Sequence, residues 1–99
     1  MATRLTKIVA TLGPVSGSKT VIRNLVAKGV NIFRLNLSHG DHETVRQWIQ
    51  WIREAEKERH TFIGVLLDLQ GPKIRVGKFE QGSIHLKRGQ RVVFTTEKK

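Results

Sequence analysis

Between residues 6 and 69 the apolar positions switch back and forth between two periods. Thr6–Leu12 (TKIVATL) is a short β-branched run of the kind that forms a buried strand. After the loop GPVSGS, the segment KTVIRNLVAKG spaces Val21, Ile22, Leu25 and Val26 as one stripe of a helix. Ser16 or Ser18 can cap its start, and Gly29 stands where a left-handed C-terminal cap belongs. Val30–Ser38 alternates again and predicts a second strand. The longest periodic segment follows, DHETVRQWIQWIREAEKERH. In it Val45, Trp48, Ile49, Ile52 and Ala55 share a face, Asp41 is a natural N-cap and Glu43 suits the first turn. Thr61–Leu69 (TFIGVLLDL) is apolar almost throughout, as strands buried on both sides are.

The order β-α-β-α-β with short loops predicts an α/β fold with a parallel sheet and right-handed crossovers. From Gly71 the pattern changes. KIRVGKF, SIHLK and RVVFTT are short alternating segments separated by EQGS and KRGQ, which predicts antiparallel hairpins. A boundary is therefore expected near Gly71-Pro72, dividing an α/β part (1–72) from the start of an all-β part (73–99). Exposed sheet edges and a β part ending at TTEKK lead to the expectation that the chain is an N-terminal fragment. No internal repeat or low-complexity stretch is present.

Composition narrows the classes. The chain has 99 residues, 38% of them hydrophobic, and no cysteine, which excludes a disulfide-stapled scaffold and a thiolate metal site. It contains no signal-peptide-like or membrane-spanning apolar run. The net charge of +10 suggests nucleic acid, but its distribution argues otherwise. Residues 1–72 hold ten Lys/Arg against six acids, and residues 73–99 hold eight against two, with only Phe79 and Phe94 there to stack on bases. A basic groove for a phosphorylated small molecule accounts for the same charge.

The chemistry-bearing residues collect at the predicted strand ends. A period of two puts Arg34, Asn36 and Ser38 on one face of the second strand, with Leu35 and Leu37 on the other. Thr11 ends the first strand and Asp68 the third. Ligands of α/β sheets gather beyond the carboxyl ends of the strands. An arginine there suits a phosphate or carboxylate, and Asn, Ser and Asp oxygens suit a hard cation. Pattern alone leaves open whether this face is solvated sheet or the floor of a site. Gly13–Thr20 (GPVSGSKT) nearly matches the phosphate-cradling loop G-x-x-x-x-G-K-[ST]. It has Ser18 where that loop needs glycine, and Pro14 removes an amide donor, so it reads as a capped loop. His39 and His42 straddle a helix start and are not read as a metal pair. His60 and His85 read as surface residues, and Trp48 and Trp51 as packing.

TKIVATLGPVS, GVNIFRLNLSHGDHE and LLDLQGPKIRV, in this order and spacing, resemble the N-terminal part of the pyruvate kinases, over Thr6 to about Val93. The resemblance implies strands one to three of a (β/α)₈ barrel, interrupted by a small β lid that begins at residue 73. It implies phosphoryl transfer from phosphoenolpyruvate to ADP, giving pyruvate and ATP. It assigns Arg34 to the transferring phosphate, and Asn36, Leu37, Ser38, His39 and Arg75 to the nucleotide. It assigns Asn36, Ser38, Asp68 and the carbonyl of Leu69 to potassium. Catalytic residues and the ligands of Mg²⁺ are expected outside this chain, which is then inactive alone. A cytoplasmic homotetramer that binds neither nucleic acid nor membrane is implied for the complete protein. Many members read Asp-Thr-Lys-Gly-Pro-Glu-Ile-Arg where Asp68–Arg75 is DLQGPKIR, with Lys73 in place of glutamate. That lysine is expected to supply the charge potassium otherwise brings. A barrel lyase or aldolase acting on phosphoenolpyruvate is the alternative, distinguished by having no need of ADP.

Overall fold

The computed structural model describes residues 4–38 and 41–97. Strands β1 (Val9–Leu12), β2 (Ile32–Asn36) and β3 (Gly64–Asp68) alternate with helices α1 (Lys19–Ala27) and α2 (His42–Arg59). The strands form one parallel sheet in the order β1-β2-β3. Each strand is shorter than its apolar run predicted, and after β2 the residues Leu37 and Ser38 enter a turn.

The helix ends follow from local chemistry. Ser18 is the N-cap of α1 and its hydroxyl accepts from the Val21 amide at 3.3 Å. Gly29, at φ 104°, closes that helix in the left-handed region. Its amide donates to the Val26 carbonyl, and the Val30 amide reaches back to Leu25, which satisfies carbonyls a bare helix end would leave open. Asp41 caps α2, accepting from the Thr44 amide at 2.7 Å, and that bond holds its carboxyl below the usual aspartate range. At the other end of α2 His60 takes the left-handed conformation, φ 48°, without being glycine.

Both helices pack on one face of the sheet. Phe33 and Leu35 of β2 are fully buried there with Ile22 and Ile52, and Val26 and Ala55 join the same core. Trp48 joins this core and its indole Nε1 donates to the Gly17 carbonyl at 3.1 Å, while Trp51 packs at the margin. Arg53 and Glu56 of α2 tie down the approach to β3. Arg53 donates to the Ile63 carbonyl at 2.9 Å, and Glu56 accepts from the Ile63 amide at 2.9 Å.

Two expectations are corrected. β3 was expected to be buried on both faces, but Leu66 and Leu67 are each 46% exposed. Leu66 shares the face of Arg34, which no described element covers, and Leu67 lies on a strand that is at the sheet's edge among the described residues. Residues 73–97 were expected to pair as hairpins, and here they form no strand. The turns are where the sequence puts them, at Gly82 (φ 80°) and Gly89 (φ 82°), closed by Gly82 N–H to Phe79 and Gln90 N–H to Lys87. The segment is exposed throughout. Strand pairs with no apolar surface to pack on are marginal in water.

Candidate functional site

The face of the sheet turned away from the helices carries the second residue of each alternation. The register aligns Thr11 with Arg34 and Leu66, and Asn36 with Asp68. Four polar side chains of three strands therefore lie together at one end of a face that no described element covers. Their order comes from a parallel register that keeps like-numbered rows level across the sheet.

Arg34 sits at the centre of this cluster. Its Nη2 forms an ion pair with Asp68 Oδ2, and its Nη1 donates to Thr11 Oγ1 at 3.5 Å. The Arg34 and Asp68 side chains are 33% and 43% exposed. A pair this open to water contributes only about 0–1 kcal/mol to stability. The contact thus orients the guanidinium while adding little to stability.

Ser38 reaches the cluster by a route that strand periodicity misses. β2 ends at Asn36, and Leu37 and Ser38 lie in a turn. Asn36 Oδ1 accepts from the Ser38 amide at 3.1 Å and from its hydroxyl at 2.6 Å. This is an Asx-type turn, in which a short side chain bonds the backbone two residues on. It folds Ser38 back onto Asn36. The Leu37 amide donates to the Asp68 carbonyl at 3.1 Å, joining the ends of β2 and β3, while its side chain packs against the core. The oxygens of Asn36, Ser38 and Asp68 are a hard-donor set suited to a monovalent or alkaline-earth cation. Among the described residues no three His, Asp or Glu side chains form a metal cluster.

Other candidates are elsewhere. Leu69 follows β3 directly and is exposed. Lys73 and Arg75 lie on the exposed extended segment, and among the described residues no hydrogen bond or ion pair links them to the cluster. His39 lies outside the described residues. The near-match to a phosphate loop is a capped turn: the Gly13 carbonyl accepts from Ser16 and Gly17, and Gly13 N–H donates to Ser16 Oγ. Lys19 is turned to α2, where its Nζ lies 2.6 Å from Glu54 and holds that carboxyl below its usual range. Sequence reasoning assigned no role to Thr11 and did not foresee that Asp68 pairs with Arg34. The signal for both was the register of three polar strand ends.

The sequence model of the pyruvate kinase barrel domain matches residues 3–99. The chain belongs to the pyruvate kinase family. It is 52% identical to pyruvate kinase 2 of Synechocystis over 95 residues, covering 94% of this chain and 16% of that protein. It is 47% identical to the pyruvate kinase of Corynebacterium efficiens, covering 95% of this chain and 20% of the relative. The crystal structure of Cryptosporidium parvum pyruvate kinase superposes on it with a TM-score of 0.73 at 44% identity. That match covers 79% of this chain and 16% of the other. The same parasite's enzyme in complex with ADP gives 0.71 at 43% identity, over 81% of this chain and 16% of that one. The chain thus spans about a fifth or less of the length of these relatives. Its three strands and two helices are the first β/α units of a (β/α)₈ barrel. In such a barrel the helices form the outer ring and the other strand face turns to the barrel interior, so the Arg34 cluster stands on the interior side at the carboxyl ends.

Proposed function

We propose that residues 1–72 supply one wall of the active site of a pyruvate kinase, and that residues 73–99 begin its β lid. The complete enzyme transfers the phosphoryl group of phosphoenolpyruvate to ADP, giving pyruvate and ATP. One observation carries the reading: Arg34 stands on the sheet face that no described element covers, at the carboxyl ends of the strands, with three of its five N–H donors unspent among the described residues, in a chain of this family.

Phosphoryl transfer depends on positioning and on neutralising charge more than on covalent help from the protein. Arg34 contacts the transferring phosphate through the planar fork that lysine lacks. Asn36, Leu37, Ser38 and His39, with Arg75, serve the nucleotide. The ADP complex of a related enzyme supports a nucleotide partner, and the turn at Asn36–Ser38 supports a shaped surface for it. Asn36, Ser38, Asp68 and the Leu69 carbonyl would hold potassium, which when bound supplies positive charge beside the phosphate. Mg²⁺ belongs to residues outside this chain. Lys73 substitutes for the charge of potassium, so the enzyme works without that ion. The same reading makes the complete protein a cytoplasmic homotetramer, and this chain inactive alone.

The test is pyruvate formation by the full-length protein from phosphoenolpyruvate and ADP, in buffers with and without potassium. Turnover that requires ADP is expected, and turnover without ADP would favour a lyase. Activity in the absence of potassium is expected for the native sequence. Strong rescue by added potassium would remove the role given to Lys73.

A further inference from the structure

The guanidinium of Arg34 is held from both sides, and only one of its two anchors has a place in the reading above. β2 is the central strand, with β1 and β3 on either side. Asp68 engages Nη2 from β3, and Thr11 accepts from Nη1 on β1. Thr11 and Arg34 are register partners, so their side chains rise from the same row on the same face. A single contact leaves a guanidinium free to swing about its end, whereas contacts at both Nη atoms fix its plane. Among the described residues these contacts engage two of the five N–H donors of arginine, leaving Nε–H and one hydrogen on each Nη for a ligand. Because the Thr11 hydroxyl accepts from Arg34, its own proton is also free to be donated outward.

Resting on the assignment of Arg34 to the phosphate, we propose that Thr11 is a positioning residue that sets the plane of the Arg34 guanidinium. It thereby sets which donors meet a phosphate-class anion. Threonine suits this role because its β-branched side chain is stiff about χ1, which fixes the hydroxyl relative to the strand. At 3.5 Å the contact adds little to stability, and its effect is directional. A merely structural role makes the opposite prediction. Valine has the same shape and favours strands at least as well, so it would replace threonine without loss.

The experiment compares Thr11→Val, Thr11→Ala and Thr11→Ser in the full-length protein, alone and with Arg34→Gln. The readouts are direct titration with phosphoenolpyruvate, the KM and kcat for it, and the Tm. Thr11→Val and Thr11→Ala are expected to weaken phosphoenolpyruvate binding by about three- to tenfold, the scale of one ordinary hydrogen bond, as suits a long contact. The Thr11→Val protein is expected to keep its Tm, and Thr11→Ser to restore affinity to within about twofold of the parent. In the Arg34→Gln background, loss of the Thr11 hydroxyl is expected to add nothing. Unchanged affinity in Thr11→Val, while Arg34→Gln is deficient, would overturn the role of Thr11 and leave the Arg34 reading standing. Unchanged affinity in Arg34→Gln would overturn both. A Thr11→Val defect that persists without Arg34, or that serine fails to rescue, would show that Thr11 does not act through the guanidinium.

Discussion

The two faces of the sheet are made by alternate residues of the same three strands, yet they are finished differently. On the helix side Phe33 and Leu35 are fully buried under α1 and α2. On the other side Thr11 is level with Arg34, and in the row two residues on Asn36 is level with Asp68, and no described element covers them. One face derives its order from apolar burial, which is non-directional and large. The other derives it from a few directional polar contacts that contribute little to stability and leave donors free for a ligand. The difference teaches that neighbouring residues on one strand, Phe33 and Arg34, answer to separate demands.

Substitutions at those neighbours give the largest contrast. Phe33→Ala removes a fully buried ring from the centre of the sheet and should cost about 3–5 kcal/mol in urea denaturation. Arg34→Gln, one residue away, should change stability by less than about 1 kcal/mol, since it breaks only an exposed ion pair. In the full-length enzyme it should nevertheless lower kcat/KM for phosphoenolpyruvate by roughly a hundredfold or more, the scale for losing a preorganised charge donor. Comparable stability losses at both positions would break the division between the faces.

A second test works where the helix layer meets the loop above the polar face. The Trp48 ring lies against Gly17 and donates to its carbonyl, so a methyl group at Gly17 has no room. Gly17→Ala should destabilise by about 1–3 kcal/mol through overpacking, and Trp48→Phe by about 1 kcal/mol through the lost hydrogen bond. Thermal denaturation separates the two. If Gly17→Ala is neutral, the loop 13–18 is not pinned to the helix layer.

How far the sequence exposed this architecture depends on how local each cause is. Ser18, Asp41 and Gly29 cap their helices as their chemistry dictates, because a cap needs only three or four neighbouring residues. The stripes on the two helices are likewise local, and the core they build contains Ile22, Val26, Val45, Trp48 and Ile52 as the spacing required. The polar row was half visible. Period two aligned Arg34 with Asn36, but Ser38 arrives through the turn on Asn36, and the bond between Arg34 and Asp68 needs the register of two strands 34 positions apart in sequence. Residues 73–97 show the limit from the other side. Their turn glycines were legible, but pairing depends on partners that alternation cannot name.

The left-handed residue closing α2 offers a smaller effect confined to the helix layer. His60 holds φ 48° at a cost that glycine does not incur, so His60→Gly should stabilise the protein by about 0.5–1 kcal/mol. Its measurement is a rise in urea midpoint with unchanged slope. The kinetics toward phosphoenolpyruvate should be untouched, since His60 lies at the opposite end of β3's approach from Asp68 in sequence and outside the polar row.

The smallest effect lies at the junction of helix layer and sheet. The Ile63 amide, and after it Arg53, hold the Glu56 carboxyl below the ordinary glutamate value of 4.5. A carboxyl depressed on folding adds stability that is fully present above its unfolded pKa. That stability is lost as pH falls through the lower, folded value. The protein should therefore weaken slightly below about pH 4.5, and Glu56→Gln should flatten this part of the acid limb. Hydrogen exchange resolves where it happens: the amides of Ile63 and Gly64 should lose protection before those of Phe33 and Leu35. Loss of protection at both sites together would mean that the edge strand is held by the sheet alone. The clamp from α2 would then add nothing to the packing of the covered face.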